Sequence, residues 1–259
     1  WRRSCGSKAG VGRTERSTTG WARLLCMERN AYLSAIKSNG HALIAACGRA
    51  PDADVAACPG WTNTELLGHV STVWGFVATQ VRAADPERPT RPTVDEDATP
   101  AGLLDDVLTA LRTTDEAGPA WNWTPDLTVG FWVRRMAHET AIHRWDAENA
   151  AGHPSQIDAD LAADGVAEAL EVGWGNRLRG PAPDYPEGSL HLHRTDGEGE
   201  WMVRAVDGAL QVTAEHGKGD VAVRGTASDL HLFVWNRRMP GLEYFGETAA
   251  IEAWAAVSP

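Results

Sequence analysis

Met136-Ala137-His138-Glu139-Thr140-Ala141-Ile142-His143-Arg144-Trp145-Asp146 lies inside the longest uninterrupted helical pattern of the chain, from about Leu127 to Ala150. Gly152 stands where a helix commonly ends and Pro154 lies just beyond it, so the pattern has a defined stop. Glu139 and His143 are one turn apart and leave the same helix face, where both can meet one ion. His138 points about 100° away and falls outside that pair.

Upstream, apolar positions Tyr32, Ile36, Leu43 and Ile44 recur at helical spacing from Met27 to about Arg49, and Pro51 closes this first helix. After Cys58-Pro59-Gly60-Trp61, Thr62 is followed three residues later by Glu65, the pattern in which each side chain satisfies an orphan backbone donor at a helix start. The second helix begins there. Its stripe reads Leu66, His69, Val73, Phe76, which places an imidazole among apolar residues and predicts that His69 points into the core. Pro86, Pro89 and Pro92 with a run of acids mark a polar connection, and Thr99-Pro100 opens a third helix over roughly 100–116. With the helix of Glu139, these form a four-helix bundle. An Ala-rich stretch from Asp158 to about Trp174 predicts a fifth helix.

Beyond a Gly/Pro-rich break, Gly180 to Gly188, the period changes to two: Leu190 and Leu192, then Trp201, Val203 and Ala205, then Leu210 and Val212, then Val221 and Val223. Asp196-Gly197 and Asp207-Gly208 suit tight hairpins, which predicts an antiparallel meander. Thr226 to Arg237 and Gly246 to Ala256 read as two covering helices. The expected fold class is mixed, α followed by α/β: a helical bundle over 27–178, then a small α+β domain with an antiparallel sheet over 179–259.

The 259 residues are 43% hydrophobic and 23% charged, the balance of a globular chain. Residues 1–26 carry six Lys or Arg against Glu15 alone, a charge of +5 that leaves −16 for the rest. An acidic body has no footprint for a phosphate backbone, so nucleic acid is not an expected partner, and no stretch approaches a membrane span. The first methionine is Met27, so residues 1–26 read as a disordered leader or a mis-assigned start, with a transit peptide as the alternative. Cys5, Cys26, Cys47 and Cys58 include no Cys-x-x-Cys pair, which fits a reducing cytoplasm rather than a disulfide scaffold.

A catalytic divalent site commonly takes three protein ligands of imidazole and carboxylate type, and His69, Glu139 and His143 supply that set if the two helices face each other. The residue patterns also allow a plainer reading. A histidine on an apolar stripe is ordinarily a satisfied core residue, and Glu-x-x-x-His is common on solvated helices. Asp146, one turn beyond His143, is read as structural or as a brace for an imidazole. Cys58 reads as a small buried thiol, and His191 and His193 share one strand face that should look to solvent.

Cys58-Pro59-Gly60-Trp61-Thr62 leading to His69, then Arg134-Arg135-Met136-Ala137-His138-Glu139 with His143-Arg144-Trp145-Asp146, resembles the mycothiol-dependent maleylpyruvate isomerase family of actinobacteria over essentially Met27 to Ala256. The resemblance implies a DinB-like four-helix bundle joined to a small sterol-carrier-like α+β domain. It implies a divalent metal, generally zinc (Zn2+), on His69, Glu139 and His143, and mycothiol as thiol cosubstrate. It further implies an arginine of the second domain near a tryptophan; Trp235-Asn236-Arg237-Arg238 is the matching stretch, so Arg237 and Arg238 are the candidates for gripping a carboxylate. A metal-bound thiol is acidified into a nucleophile, which serves an isomerase or an S-transferase acting on a small electrophile, in a monomer or homodimer. Two other readings use the same scaffold: a metal-dependent hydrolase, and a non-catalytic binding or regulatory module.

Overall fold

The computed structural model describes residues 27–93, 95, 97–175, 184–237 and 239–258. The leader 1–26 and the expected boundary at 178/179 lie outside the described residues. The helical part comprises α1 (Arg29–Arg49), α2 (Asn63–Ala83), α3 (Pro100–Thr113), α4 (Val129–Ala150) and α5 (Ala159–Glu168), which runs on as a wider π-helical segment, Ala169–Trp174. Their starts are set by local chemistry. Thr62 and Glu65 form the reciprocal cap of α2, Thr99 accepts from the Gly102 amide, Thr128 from that of Phe131, and Asp158 from those of Asp160 and Leu161.

Helix α4 is wrapped by α1, α2, α3 and α5, so it is buried on most sides and its polar side chains must find partners inside the protein. On α2 the apolar stripe proves to be two. Leu66, Val70, Trp74, Val77 and Val81 face the core, while His69, Val73 and Phe76 lie one position round the helix and stay partly exposed. His69 therefore looks not into the core, as its neighbours predict, but onto a cavity at the core's edge.

The second part holds β1 (Ser189–Arg194), β2 (Glu200–Val206), β3 (Ala209–Thr213), β4 (Val221–Gly225), α6 (Ala227–Val234), β5 (Glu243–Phe245) and α7 (Thr248–Ala255). The sheet order is β3-β2-β1-β4-β5. The first three strands are the expected meander, but β4 pairs with β1 in parallel, so the sheet is mixed rather than antiparallel throughout. The chain crosses from the β3 edge to the open side of β1, which β5 then extends. Asp207 and Gly208, both at positive φ, make the two-residue turn between β2 and β3. Asp196-Gly197 instead sits in a five-residue connection, where Asp196 accepts from Arg194 Nε and the Ala227 amide.

Leu190, Leu192, Trp201, Val203, Val221 and Val223 form the inner face of the sheet, essentially without exposure, under α6 and α7. The bundle meets this part chiefly where α5 crosses α6. The approach is close because Gly165 has no side chain: a Cβ there would come within 2.4 Å of the His231 ring. No described helix is long and apolar enough to cross a membrane.

Candidate metal centre

His69 of α2 and the Glu139/His143 pair of α4 converge. His69 Nε2 and His143 Nε2 lie 3.5 Å and 3.4 Å from the same oxygen, Glu139 Oε1. The two rings meet edge to face at 5.5 Å, and Trp61 packs on His69 at 4.9 Å. One ligand atom from each of the three residues lies within 4.8 Å of the others.

The surrounding residues hold these side chains in place. His143 Nδ1 lies 3.0 Å from Asp146 Oδ2, and Asp146, buried without exposure, takes a two-point contact from Arg237: Nε to Oδ1 at 3.1 Å and Nη2 to Oδ2 at 2.6 Å. Arg237 reaches the centre from the second part of the chain, but its fork grips Asp146 rather than standing free for a substrate carboxylate. Arg238 lies outside the described residues. On the other side, Arg135 donates to Glu139 Oε2 and to Glu168 at 2.7 and 2.8 Å, with the Trp235 ring 5.1 Å from its guanidinium.

With Nδ1–H donating to Asp146, the Nε2 of a neutral His143 would present a lone pair to a carboxylate oxygen, acceptor against acceptor. Something positive must stand between them. In the protein alone it is a proton: burial pushes the His143 pKa down, but Glu139 and Asp146 outweigh it and raise it to about 9. Burial likewise works against the Glu139 carboxylate, while Arg135 and His143 hold it well below its ordinary value. A divalent cation can take the proton's place, and the donors, two imidazole nitrogens and one carboxylate oxygen braced from behind, fit one.

Beside the centre is a cavity of about 280 Å³ lined by His69, Glu139, Phe76, Trp123, Trp132 and Trp235 among others. Trp132 lies on α4 itself, Trp123 comes from the loop before α4 and Trp235 from the end of α6. Cys58 is also close, its sulfur within 4.8 Å of ligand atoms of His143 and Asp146. Burial, then the Asp146 charge, pushes its thiol pKa up, so it is not poised as a nucleophile. His138 faces away, bonding Asp164 at 2.7 Å under α5.

Residues 33–148 match the family model of the mycothiol maleylpyruvate isomerase N-terminal domain, and residues 160–253 match that of the MDMPI C-terminal domain. Helix α5, from its second residue on, falls within the second match. Two solved structures share the fold: a mycothiol-dependent maleylpyruvate isomerase, at TM-score 0.58 and 15% identity, and a histidine-to-alanine variant, at 0.57 and 14%. Each alignment covers 86% of this chain and 94% of the other. Among proteins of curated function, none matches by sequence. On the two domain matches, which together span most of the described residues, the chain belongs to the mycothiol-dependent maleylpyruvate isomerase family.

Proposed function

We propose that this chain is a divalent-metal-dependent enzyme that uses mycothiol to isomerise, or to form a thioether with, a small electrophile. One observation carries the reading: two imidazole nitrogens aimed at one carboxylate oxygen, beside an aromatic cavity. His69, Glu139 and His143 would hold the cation, zinc being the ion such donors suit. Bound there, it would lower the pKa of a coordinating thiol and make thiolate available at neutral pH.

The chain's own residues supply the rest. Asp146 fixes the His143 tautomer so that Nε2 faces the centre, and Arg237 fixes Asp146, tying the second part of the chain to the geometry of the first. Arg135 keeps Glu139 ionised and aimed. Phe76, Trp123, Trp132 and Trp235 offer π faces and exclude water, which suits an electrophile with an apolar or aromatic body. Among the described residues lining the cavity Arg135 is the one arginine or lysine, and Glu139 and Glu168 already occupy it.

The test is metal analysis of the purified chain, followed by a screen of electrophiles with mycothiol, with and without chelator. The reading expects stoichiometric metal and turnover that needs both metal and thiol. Turnover without any thiol would replace it with hydrolysis, and absence of both metal and turnover with a non-catalytic role.

A further inference from the structure

A second group of ligating side chains lies on the outer face of the sheet and shares no residue with the centre described above. Alternation along β1 puts His191 and His193 on the face opposite Leu190 and Leu192. Antiparallel register then sets Glu200 of β2 directly across from His193. The loop after β3 brings His216 over the same carboxylate. His191 Nε2 lies 2.5 Å from Glu200 Oε2, and His193 Nδ1 and His216 Nδ1 lie 2.6 Å and 3.1 Å from Oε1. The three rings form a nearly equilateral triangle, with centroids 6.1, 5.9 and 6.2 Å apart.

These histidines do not simply face water. His191 is only 6% exposed, covered by the backbone of the same loop: a Cβ at Gly219 would come within 3.0 Å of the His191 Cβ. That loop is pinned at its far end, where Asp220 accepts from both the amide and hydroxyl of Ser189 at 2.8 and 2.7 Å. The cluster is therefore assembled from two paired strands and an anchored loop. It borders a cavity of about 630 Å³.

From this arrangement we infer that His191, His193, Glu200 and His216 form a second divalent transition-metal site, which clamps the His216 loop onto the sheet. One ligand atom from each of the four lies within 4.8 Å of the others. Zinc bonds of about 2.0–2.2 Å in a tetrahedral shell set ligand atoms about 3.4 Å apart, so the short contacts of His191 and His193 with Glu200 would open to admit the ion while the imidazoles draw together around it. Three imidazoles and a carboxylate match the preference of zinc, copper(II) and nickel over magnesium or calcium. Four protein ligands fill a tetrahedral shell, which makes the site structural rather than catalytic. Glu200 supplies the negative charge, and among the described residues no lysine or arginine pairs with it.

The experiment is a zinc titration, by calorimetry and by native mass spectrometry, of the full chain without an affinity tag. It compares the unmodified protein, His193→Ala/His216→Ala and His69→Ala. His193 and His216 side chains are 31% and 80% exposed, so replacing them spares the core. A sheet site shows as the loss of one zinc equivalent in the double variant and its retention in His69→Ala, whatever the bundle binds. Zinc should also raise the melting temperature of His69→Ala but not of a chain carrying all three changes. Copper(II) bound to His69→Ala should show nitrogen couplings in its electron paramagnetic resonance spectrum that His216→Ala weakens. Equal zinc uptake by the unmodified chain and His193→Ala/His216→Ala would overturn the site and leave Glu200 as a carboxylate bonded by three imidazoles.

Discussion

The bundle and the sheet each gather histidines around a glutamate, and they balance its charge differently. In the bundle, Glu139 meets two imidazoles and Arg135, while Asp146 braces His143 and is held by Arg237. On the sheet, Glu200 meets three imidazoles and no second carboxylate braces them among the described contacts. Arg135 and Arg237, one from the bundle and one from the second part of the chain, hold the carboxylates of the bundle centre in place, which is the preorganisation a reacting centre needs. Among the described residues no arginine holds Glu200 in the sheet cluster, so an ion there would act mainly on local order. Three ligands in the bundle would leave coordination room for a thiol; four on the sheet would leave none.

The largest expected difference is between ligand losses. His69→Ala should abolish the bundle equivalent of metal and with it thiol-dependent turnover, while sparing the sheet equivalent. Its side chain is 38% exposed, so the fold should persist by circular dichroism. Turnover retained at the unmodified rate would break the contrast at its root.

Bracing comes next. Asp146→Asn removes the charge behind His143 and should weaken metal binding in the bundle by about 10–100-fold, read by competition with a chromophoric chelator. No effect on affinity would mean that the Asp146–Arg237 contact is only a domain tie. Where bundle and second part meet, Gly165→Ala forces a Cβ against His231 and should cost about 1–3 kcal/mol in urea unfolding, without changing zinc uptake on the sheet.

Acid should act most weakly, and on the bundle side. Asp164 is fully buried; burial opposes its ionisation, but the bond from His138 and the Arg134 charge hold its carboxyl well below the ordinary value. The folded state therefore binds fewer protons there than the unfolded chain. Its stabilising contribution is present above the unfolded value of about 3.9 and is lost as pH falls through the folded one. Unfolding measured from pH 6 to 2 should show a shallower acid slope in Asp164→Asn than in the unmodified chain.

Local chemistry made much of this legible in sequence. The Thr62/Glu65 cap, Thr99-Pro100, the Asp207-Gly208 turn and the Glu139/His143 spacing depend on residues a few positions apart, and each stands as read. Contacts across long sequence separations were not legible. Nothing in the period of β4 tells that it pairs with β1 in parallel, nor that three-residue β5 follows. The apolar stripe of α2 could not reveal that a cavity, rather than core, lies one position round from Leu66. Arg135 stands one turn before Glu139 and could have been named from spacing, but its partner Glu168 and the cavity walls Trp123 and Trp235 come from other elements. His216 joins His191 and His193 only through the fold of its loop. Arg237 was expected at the centre for a substrate; the structure gives its fork to Asp146.

The most direct test of the account is cobalt(II) substitution followed by thiol addition. In the unmodified chain, mycothiol should produce a sulfur-to-cobalt charge-transfer band, reporting thiolate bound at the bundle centre, and His69→Ala should not show it. A band of equal strength in His69→Ala, or no band in the unmodified chain at saturating thiol and full cobalt occupancy, would contradict a thiol-activating metal at His69, Glu139 and His143.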